Sequence, residues 1–409
     1  MILPRNRALV ACLLAGVLAA PALEPYQAAA ADHWVGTWAS AQQRGDPGNA
    51  PPEPGFSDTT LRQIVHVSIG GKKIRVRLSN EFGGTPLKIL SAQVAVSAGG
   101  AAIKAETRRR LTFRGDPAVT IPAGAPVWSD PLDFDLAALS DLAVSLYLKG
   151  VPAEFTTHPG ARTLSFLKAG DAVTASDLPD AARTEHWYFL SGVDVLAPGS
   201  AASVVTLGDS ITDGRNATNN GRWPDGLARR LQARKETAEI GVLNQGIGGN
   251  CLLYGGLGPN ALARFDRDVL AQSGVRWLIV LEGVNDLGAR ANTRAQTRAP
   301  ATEEELIAAF SQIIQRAHAH GIRVFGATIM PVGESFYYNA EVESARQKIN
   351  NWIRTGGQFD AVIDLDAATR DPERPDHLTA AADSGDHLHP ANPGYKMMAD
   401  AIDLNLFTR

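Results

Sequence analysis

Cysteine is nearly missing: 409 residues contain two, Cys12 and Cys251. Cys12 lies in a segment expected to be removed, so no internal disulfide is expected and the fold has to rest on core packing. Cys251 has no His or acidic residue at nucleophile-like spacing and reads as a small buried hydrophobe. A basic excess is missing too: 39 Lys and Arg stand against 43 Asp and Glu, a formal charge of −4, which argues against nucleic acid as a partner. Beyond the N-terminus no apolar run approaches the roughly 20 residues that cross a bilayer, so no stable membrane insertion is expected. No wider set of His and Cys with ligand spacing is present; neither a metal nor an organic cofactor is expected.

What is present begins with an address. Arg5 and Arg7 precede an apolar run from Ala8 to Ala20, and Ala28-Ala-Ala-Ala31 follows. This is the layout of a signal peptide over 1–31, and export to the periplasm or the exterior is expected. Leu9-Val-Ala-Cys12 is not a lipoprotein box, because the apolar stretch lies after the cysteine. The rest is 44 % hydrophobic over the whole chain and long enough for two units, each with a core of its own.

The texture divides the chain near Ala197-Pro-Gly-Ser200. In 32–196 the period is two: Ile74-Arg-Val-Arg-Leu78 and Leu142-Ala-Val-Ser-Leu-Tyr-Leu148 alternate as half-buried strands do. Leu61–Ile69 and Leu87–Val96 read as further strands, and Gly70-Gly71 predicts a hairpin between the first two. Short strands without a long helix predict a β-sandwich. In 197–409 the strands are compact apolar runs, at Val204–Leu207, Gly241–Leu243, Trp277–Leu281, Val324–Met330 and Ala361–Asp364, the pattern of burial on both faces. Helical patterns lie between them. Thr302-x-x-Glu305 is a capping box; Leu306, Phe310, Ile313 and Ala317 form one apolar face, and Gly321 marks the stop. The alternation predicts an α/β unit, a parallel sheet with helices on both faces in a flavodoxin-like strand order.

Four segments of this second unit carry chemistry. Gly208-Asp209-Ser210 follows the first buried strand, where a glycine lets the chain turn and presents a serine hydroxyl at the carboxyl end of a strand. A serine hydroxyl needs a base to take its proton. Asp386-His387-Leu388-His389-Pro390 supplies one: an Asp three residues before His389 can hold one imidazole nitrogen and aim the other at Ser210. His387 is the rival base, and a metal set of His387, His389 and Asp383 or Asp386 is the rival chemistry. An acyl transfer also needs donors for the oxyanion. Asn244-Gln-Gly-Ile-Gly-Gly249 offers a backbone N–H at Gly249, and Gly283-Val-Asn285-Asp286 offers the side-chain amide of Asn285, beside the N–H of Ser210.

The ordered set resembles the SGNH, or GDSL-type, hydrolase superfamily over about 200–409. The resemblance implies Ser210, Gly249, Asn285 and His389 as the four block residues and Asp386 as the partner of His389. Gly246 and Gly248 compete for the second block, and the spacing from Asn244 in the family pattern favours Gly249. The nucleophile block reads Gly-Asp-Ser-Ile where the family often has Leu. Ser79-Asn-Glu-Phe82, Gly221-Arg-Trp-Pro224 and Gly248-Gly-Asn250 are similar to a secreted, two-domain arylesterase/acylhydrolase branch. The resemblance implies a carboxylic ester hydrolase acting through an acyl-enzyme, on short-chain or acetyl esters of carbohydrates or aryl alcohols. The alternatives are a lipase or phospholipase of the same fold, and a carbohydrate-binding protein with a degenerate hydrolase half. Trp223, Tyr254, Phe336, Tyr337 and Tyr338 read as packing before stacking platforms. The β-unit reads as a wall of the site before a carbohydrate-binding module, because Trp34, Trp38 and Trp128 are dispersed.

Overall fold

The computed structural model describes residues 31–150, 153–218, 220–291 and 300–408. The expected signal segment, up to residue 30, lies outside them.

The first part is built from antiparallel strands. Thr59–His66, Leu87–Gly99, Asp141–Leu148 and Ser165–Ala169 belong to one sheet. His33–Ala39, Leu190–Ala197, Gly71–Ser79 and Leu132–Leu136 belong to another. Apolar residues from both, including Leu61, Val65, Val144 and Leu146 on one side and Ile74, Val76, Val193 and Val195 on the other, make one core. That is how sheets with alternating faces bury them. The expected hairpin at Gly70-Gly71 is not there: Thr59–His66 and Gly71–Ser79 lie in different sheets. The turn is instead a crossing between layers. A Cβ on Gly70 would fall 2.4 Å from the Leu136 carbonyl, so the chain passes too near a neighbouring backbone for any side chain. The period-two pattern identifies strands, but not which sheet each one joins.

Five parallel strands form the second part: Ala202–Gly208, Ile240–Gly246, Val275–Leu281, Arg323–Ala327 and Ala361–Ile363. Counted in chain order, they lie across the sheet as second, first, third, fourth and fifth. The chain therefore leaves the first strand in one direction and later returns on its other side, and the crevice at this switch is where open α/β sheets hold their sites. Helices Trp223–Gln232, Glu303–Ala319, Ala340–Thr355 and Asn392–Asp400 pack their apolar residues into a second core with the strands. The Thr302 cap is formed as its spacing predicts: Thr302 Oγ1 accepts from Glu305 N, and Glu305 Oε2 accepts from Thr302 N.

The first part covers the edge of the parallel sheet. Gly36 N donates to Ser273 O at 3.0 Å, and Val242 N donates to Ser68 Oγ at 2.9 Å. A Cβ on Gly241 would lie 2.1 Å from Gly36 O, so glycine is required where the strand 33–39 crosses the edge strand. An edge covered in this way no longer offers its backbone groups to another chain.

Candidate active site

The first strand ends in a turn that has no room for larger residues. A Cβ on Gly208 would meet Thr212 Oγ1 at 2.1 Å, and one on Gly246 would meet Asp213 N at 2.2 Å. Asp209 caps the short helix Ser210–Asp213 by accepting from Ile211 N at 2.8 Å. Its carboxyl is buried, which pushes its pKa up, and the nearby Asp286 adds to the effect. Ser210 is thus fixed at the first position of a helix, at the carboxyl end of the first strand.

The structure brings Ser210 and His389 together. Ser210 Oγ lies 2.9 Å from His389 Nε2, and His389 Nδ1 lies 2.7 Å from Asp386 Oδ2. The other Asp386 oxygen accepts from the backbone N–H of His389 at 2.8 Å and of Leu388 at 3.1 Å. A tight loop therefore holds the carboxylate before it holds the ring. Burial works to raise the Asp386 pKa, but the bonds from His389 outweigh it and hold the group down at about 2. Burial lowers the pKa of His389; Asp386 opposes this, and the positive charges of Arg215 and Arg162 reinforce it. The result is a neutral ring with Nε2 facing a hydroxyl, the state a proton acceptor needs.

His387 goes elsewhere. Its Nδ1 lies 2.6 Å from Asp383 Oδ2, and its N–H donates to Asp383 Oδ1 at 3.0 Å. The two histidines thus turn to different carboxylates, and among the described residues no group of three His, Cys, Asp or Glu side chains is arranged to hold a metal ion.

Gly249 and Asn285 line the same cavity as Ser210 and His389, a space of about 460 Å³. Gly249 sits at φ +70, and a Cβ there would press on Leu257 at 3.3 Å; both observations favour glycine. Gly248 also lines the cavity. The Asn285 amide is oriented from both ends: its Nδ2 donates to Asn250 O at 2.8 Å, and its Oδ1 accepts from Tyr337 OH at 2.8 Å. One of its two N–H bonds is left for another acceptor. Asp286 accepts from Leu252 N and Leu253 N at 2.8 and 3.0 Å, pinning the loop that carries Gly249.

Several contributors carried no sequence signal. Arg264 is fully buried and donates to Gly208 O, Gln245 O and Asn250 Oδ1 at 3.0, 2.6 and 2.9 Å. One guanidinium so ties the nucleophile turn to the Gly249 loop. From the first part of the chain, Gln43, Asn49, Pro159, Gly160, Arg162 and His186 reach the cavity. Tyr337, read from sequence as packing, instead orients Asn285. The motifs noted from sequence are joints between the two parts. Glu81 pairs with Arg267 at 3.0 Å, and Phe82 lies under the same guanidinium at 5.5 Å. Arg222 donates to Asp213 O at 2.9 Å and to Ala161 O. Trp34 and Trp128 both face Arg75, at 4.6 and 4.1 Å, and Trp38 packs edge-on against Trp187 at 4.9 Å. Cys251 is buried.

A parallel α/β sheet with a serine, an imidazole and oriented amide donors at its switch point defines a hydrolase of the GDSL type. Residues 206–397 match the profile of the GDSL-like lipase/acylhydrolase family, and this part of the chain belongs to the SGNH/GDSL hydrolase superfamily. Among solved structures, the acetylxylan esterase Axe2 of Geobacillus stearothermophilus is similar at 22 % identity, TM-score 0.40, over 50 % of this chain and 93 % of its own. A lipolytic protein of the G-D-S-L family from Desulfitobacterium hafniense is similar at 20 % identity, TM-score 0.37, over 49 % of this chain and 97 % of its own. LAE5, an alpha/beta hydrolase enzyme from the Lake Arreo metagenome, is similar at 20 % identity, TM-score 0.39, over 49 % and 94 %. No curated protein matches the chain.

Proposed function

We propose that this protein is an exported serine esterase that hydrolyses carboxylic esters through an acyl-enzyme. The observation that carries the reading is the 2.9 Å contact between Ser210 Oγ and His389 Nε2, with Asp386 behind the ring. His389 Nε2 takes the hydroxyl proton as Oγ bonds to the acyl carbon. The carbonyl electrons move to oxygen, which the N–H groups of Ser210 and Gly249 and the Asn285 amide receive. The carbon–oxygen bond to the alcohol then breaks, and its oxygen takes the proton back from His389. Water repeats the two steps on the acyl-serine, releasing the acid and restoring the enzyme. Asp386 stabilises the imidazolium in both half-reactions and is not itself protonated.

Short acyl groups on carbohydrate or aryl alcohols remain the proposed substrates. The proposed organisation is a signal peptide over 1–31, a β-sandwich over 32–196 and a catalytic unit over 197–409. The residues that 32–196 contributes to the cavity favour its reading as a wall of the site over that of a separate binding module. Ser210→Ala is expected to lower hydrolysis of p-nitrophenyl acetate by at least about 10⁴-fold and to abolish labelling by a fluorophosphonate, with an unchanged circular dichroism spectrum. Undiminished turnover in that variant would remove Ser210 from the mechanism. A series of p-nitrophenyl esters of increasing chain length separates this reading from a lipase.

A further inference from the structure

The cavity has two unlike walls. On one side lie Leu257 and Phe336, which are 54 % and 57 % exposed. This wall adjoins the oxyanion donors: Gly249 sits against Leu257, and Tyr337, whose ring centroid is 4.5 Å from that of Phe336, holds Asn285. The other side is cationic. Arg162 and Arg215 both line the cavity, and the fields of both act on the imidazole of His389.

These two arginines are weakly committed within the chain. Arg162 has one ion pair among the described residues, a long one of 3.6 Å to Asp213 Oδ2, and its buried Nε–H has no hydrogen-bond partner. Asp213 is already served by His158 Nε2 at 2.9 Å. No carboxylate stands within ion-pair distance of Arg215 among the described residues. The remaining acid of the cavity, Asp386, has its oxygens turned to His389 and the backbone behind it. An orphan donor and an uncompensated charge beside a reacting centre are features of an anion site still to be filled.

The side matters. In ester cleavage the leaving oxygen must receive its proton from His389 Nε2, so the alcohol portion lies against the imidazole and the carbonyl oxygen lies against Gly249 and Asn285. The cationic wall is the imidazole wall. Resting on the esterase reading above, we propose that the substrate is an ester whose alcohol portion carries an anionic group, a carboxylate or a phosphate, held by Arg162 and Arg215. An acetylated uronate or an acyl ester of a phosphate-bearing alcohol has this chemistry.

The test compares matched acetyl esters on the full chain at low ionic strength. 4-Acetoxybenzoate carries the charge on the alcohol, 4-acetoxybenzamide is its neutral counterpart, and 4-acetoxyphenyl phosphate is the phosphate arm. Monophenyl succinate carries the charge on the acyl side instead. The anionic alcohol esters are expected to exceed the benzamide in kcat/KM by about tenfold, the scale of one charge-assisted contact, and added sodium chloride is expected to shrink the gap. The better of the two anionic esters identifies the group. Arg215→Gln and Arg162→Gln are expected to bring the benzoate-to-benzamide ratio toward one; the exposed position of Arg215 keeps that variant foldable. Equal kcat/KM for the charged and neutral alcohols in the native protein, or a preference for the succinate, overturns the proposal while leaving the esterase reading intact. Failure to cleave any of the esters, phenyl acetate included, overturns both.

Discussion

His158 Nε2 lies 2.9 Å from Asp213 Oδ1 across 55 residues of chain, both side chains buried. The other ring nitrogen of His158 lies 2.7 Å from Ala41 O. A carbonyl only accepts, so Nδ1 carries a hydrogen; a carboxylate also accepts, so Nε2 carries another, and the ring is an imidazolium. The strand Thr156–His158 thus sends a cation to the helix that begins at Ser210.

Removing it should show in stability first. His158→Ala leaves a buried carboxylate with a distant guanidinium as its remaining ion-pair partner, and the expected loss is about 3–5 kcal/mol. Urea denaturation reads this directly, and Asp213→Asn in the same chain should recover part of the loss. An unchanged midpoint in His158→Ala would show that the contact does no structural work.

The Tyr337–Asn285 bond makes a finer prediction. Asn285→Ala should lower kcat on p-nitrophenyl acetate by roughly 10²–10³-fold, the usual effect of losing one oxyanion donor. Tyr337→Phe keeps the ring and loses only the hydroxyl, so a fall of roughly fivefold in kcat is expected, the equivalent of about 1 kcal/mol for one hydrogen bond. A change confined to KM would place Tyr337 in substrate binding instead.

Activity should switch on at unusually low pH. Burial lowers the His389 pKa below its ordinary 6.5, so its neutral form, the proton acceptor, is present down to a lower pH. The acid limb of kcat/KM for p-nitrophenyl acetate is therefore expected below 6.5, and Arg215→Gln, which removes one lowering charge, should move it up. Asp386 has its pKa depressed from 3.8 to about 2. Its contribution to stability is full above 3.8 and is lost only as pH falls through about 2, so it does not shape the limb. A limb above the ordinary histidine value would contradict the assignment of the buried ring.

Arg264 offers a fourth test. Arg264→Met removes the charge and three contacts to the carbonyls and amide that align the nucleophile turn and the Gly249 loop. It also leaves Asp268 and Glu282 without this partner. A stability loss of about 3–5 kcal/mol is expected, read by thermal unfolding, together with reduced fluorophosphonate labelling of the folded fraction.

The reacting set was legible because it is local in sequence at each corner. Gly208-Asp-Ser210 is one turn, and Asp386 to His389 is one loop closed by its own backbone bonds. Strand texture gave the layers for a similar reason, since burial on one face or two writes period two or a continuous apolar run. Partnerships between distant segments left no such trace. Nothing near His158 or Arg162 announces Asp213, and nothing near Arg264 announces Gly208. The mistaken hairpin at Gly70-Gly71 has the same cause: two glycines mark a sharp turn, but which sheet the next strand joins is decided by Leu136 and its neighbours, far along the chain. Tyr337 was undervalued because a phenol packs and donates at once, and composition reports only the first.

The strand 33–39 that lies across Ile240–Gly246 bears on how this protein can be cut down. A fragment beginning near Ala197 would keep every reacting side chain, yet it would bare the margin sealed by Gly36 and Ser68 and strand Asp213 without His158. Such a fragment should precipitate or pair with itself through that margin, so anyone trimming the molecule for engineering must keep its front portion attached.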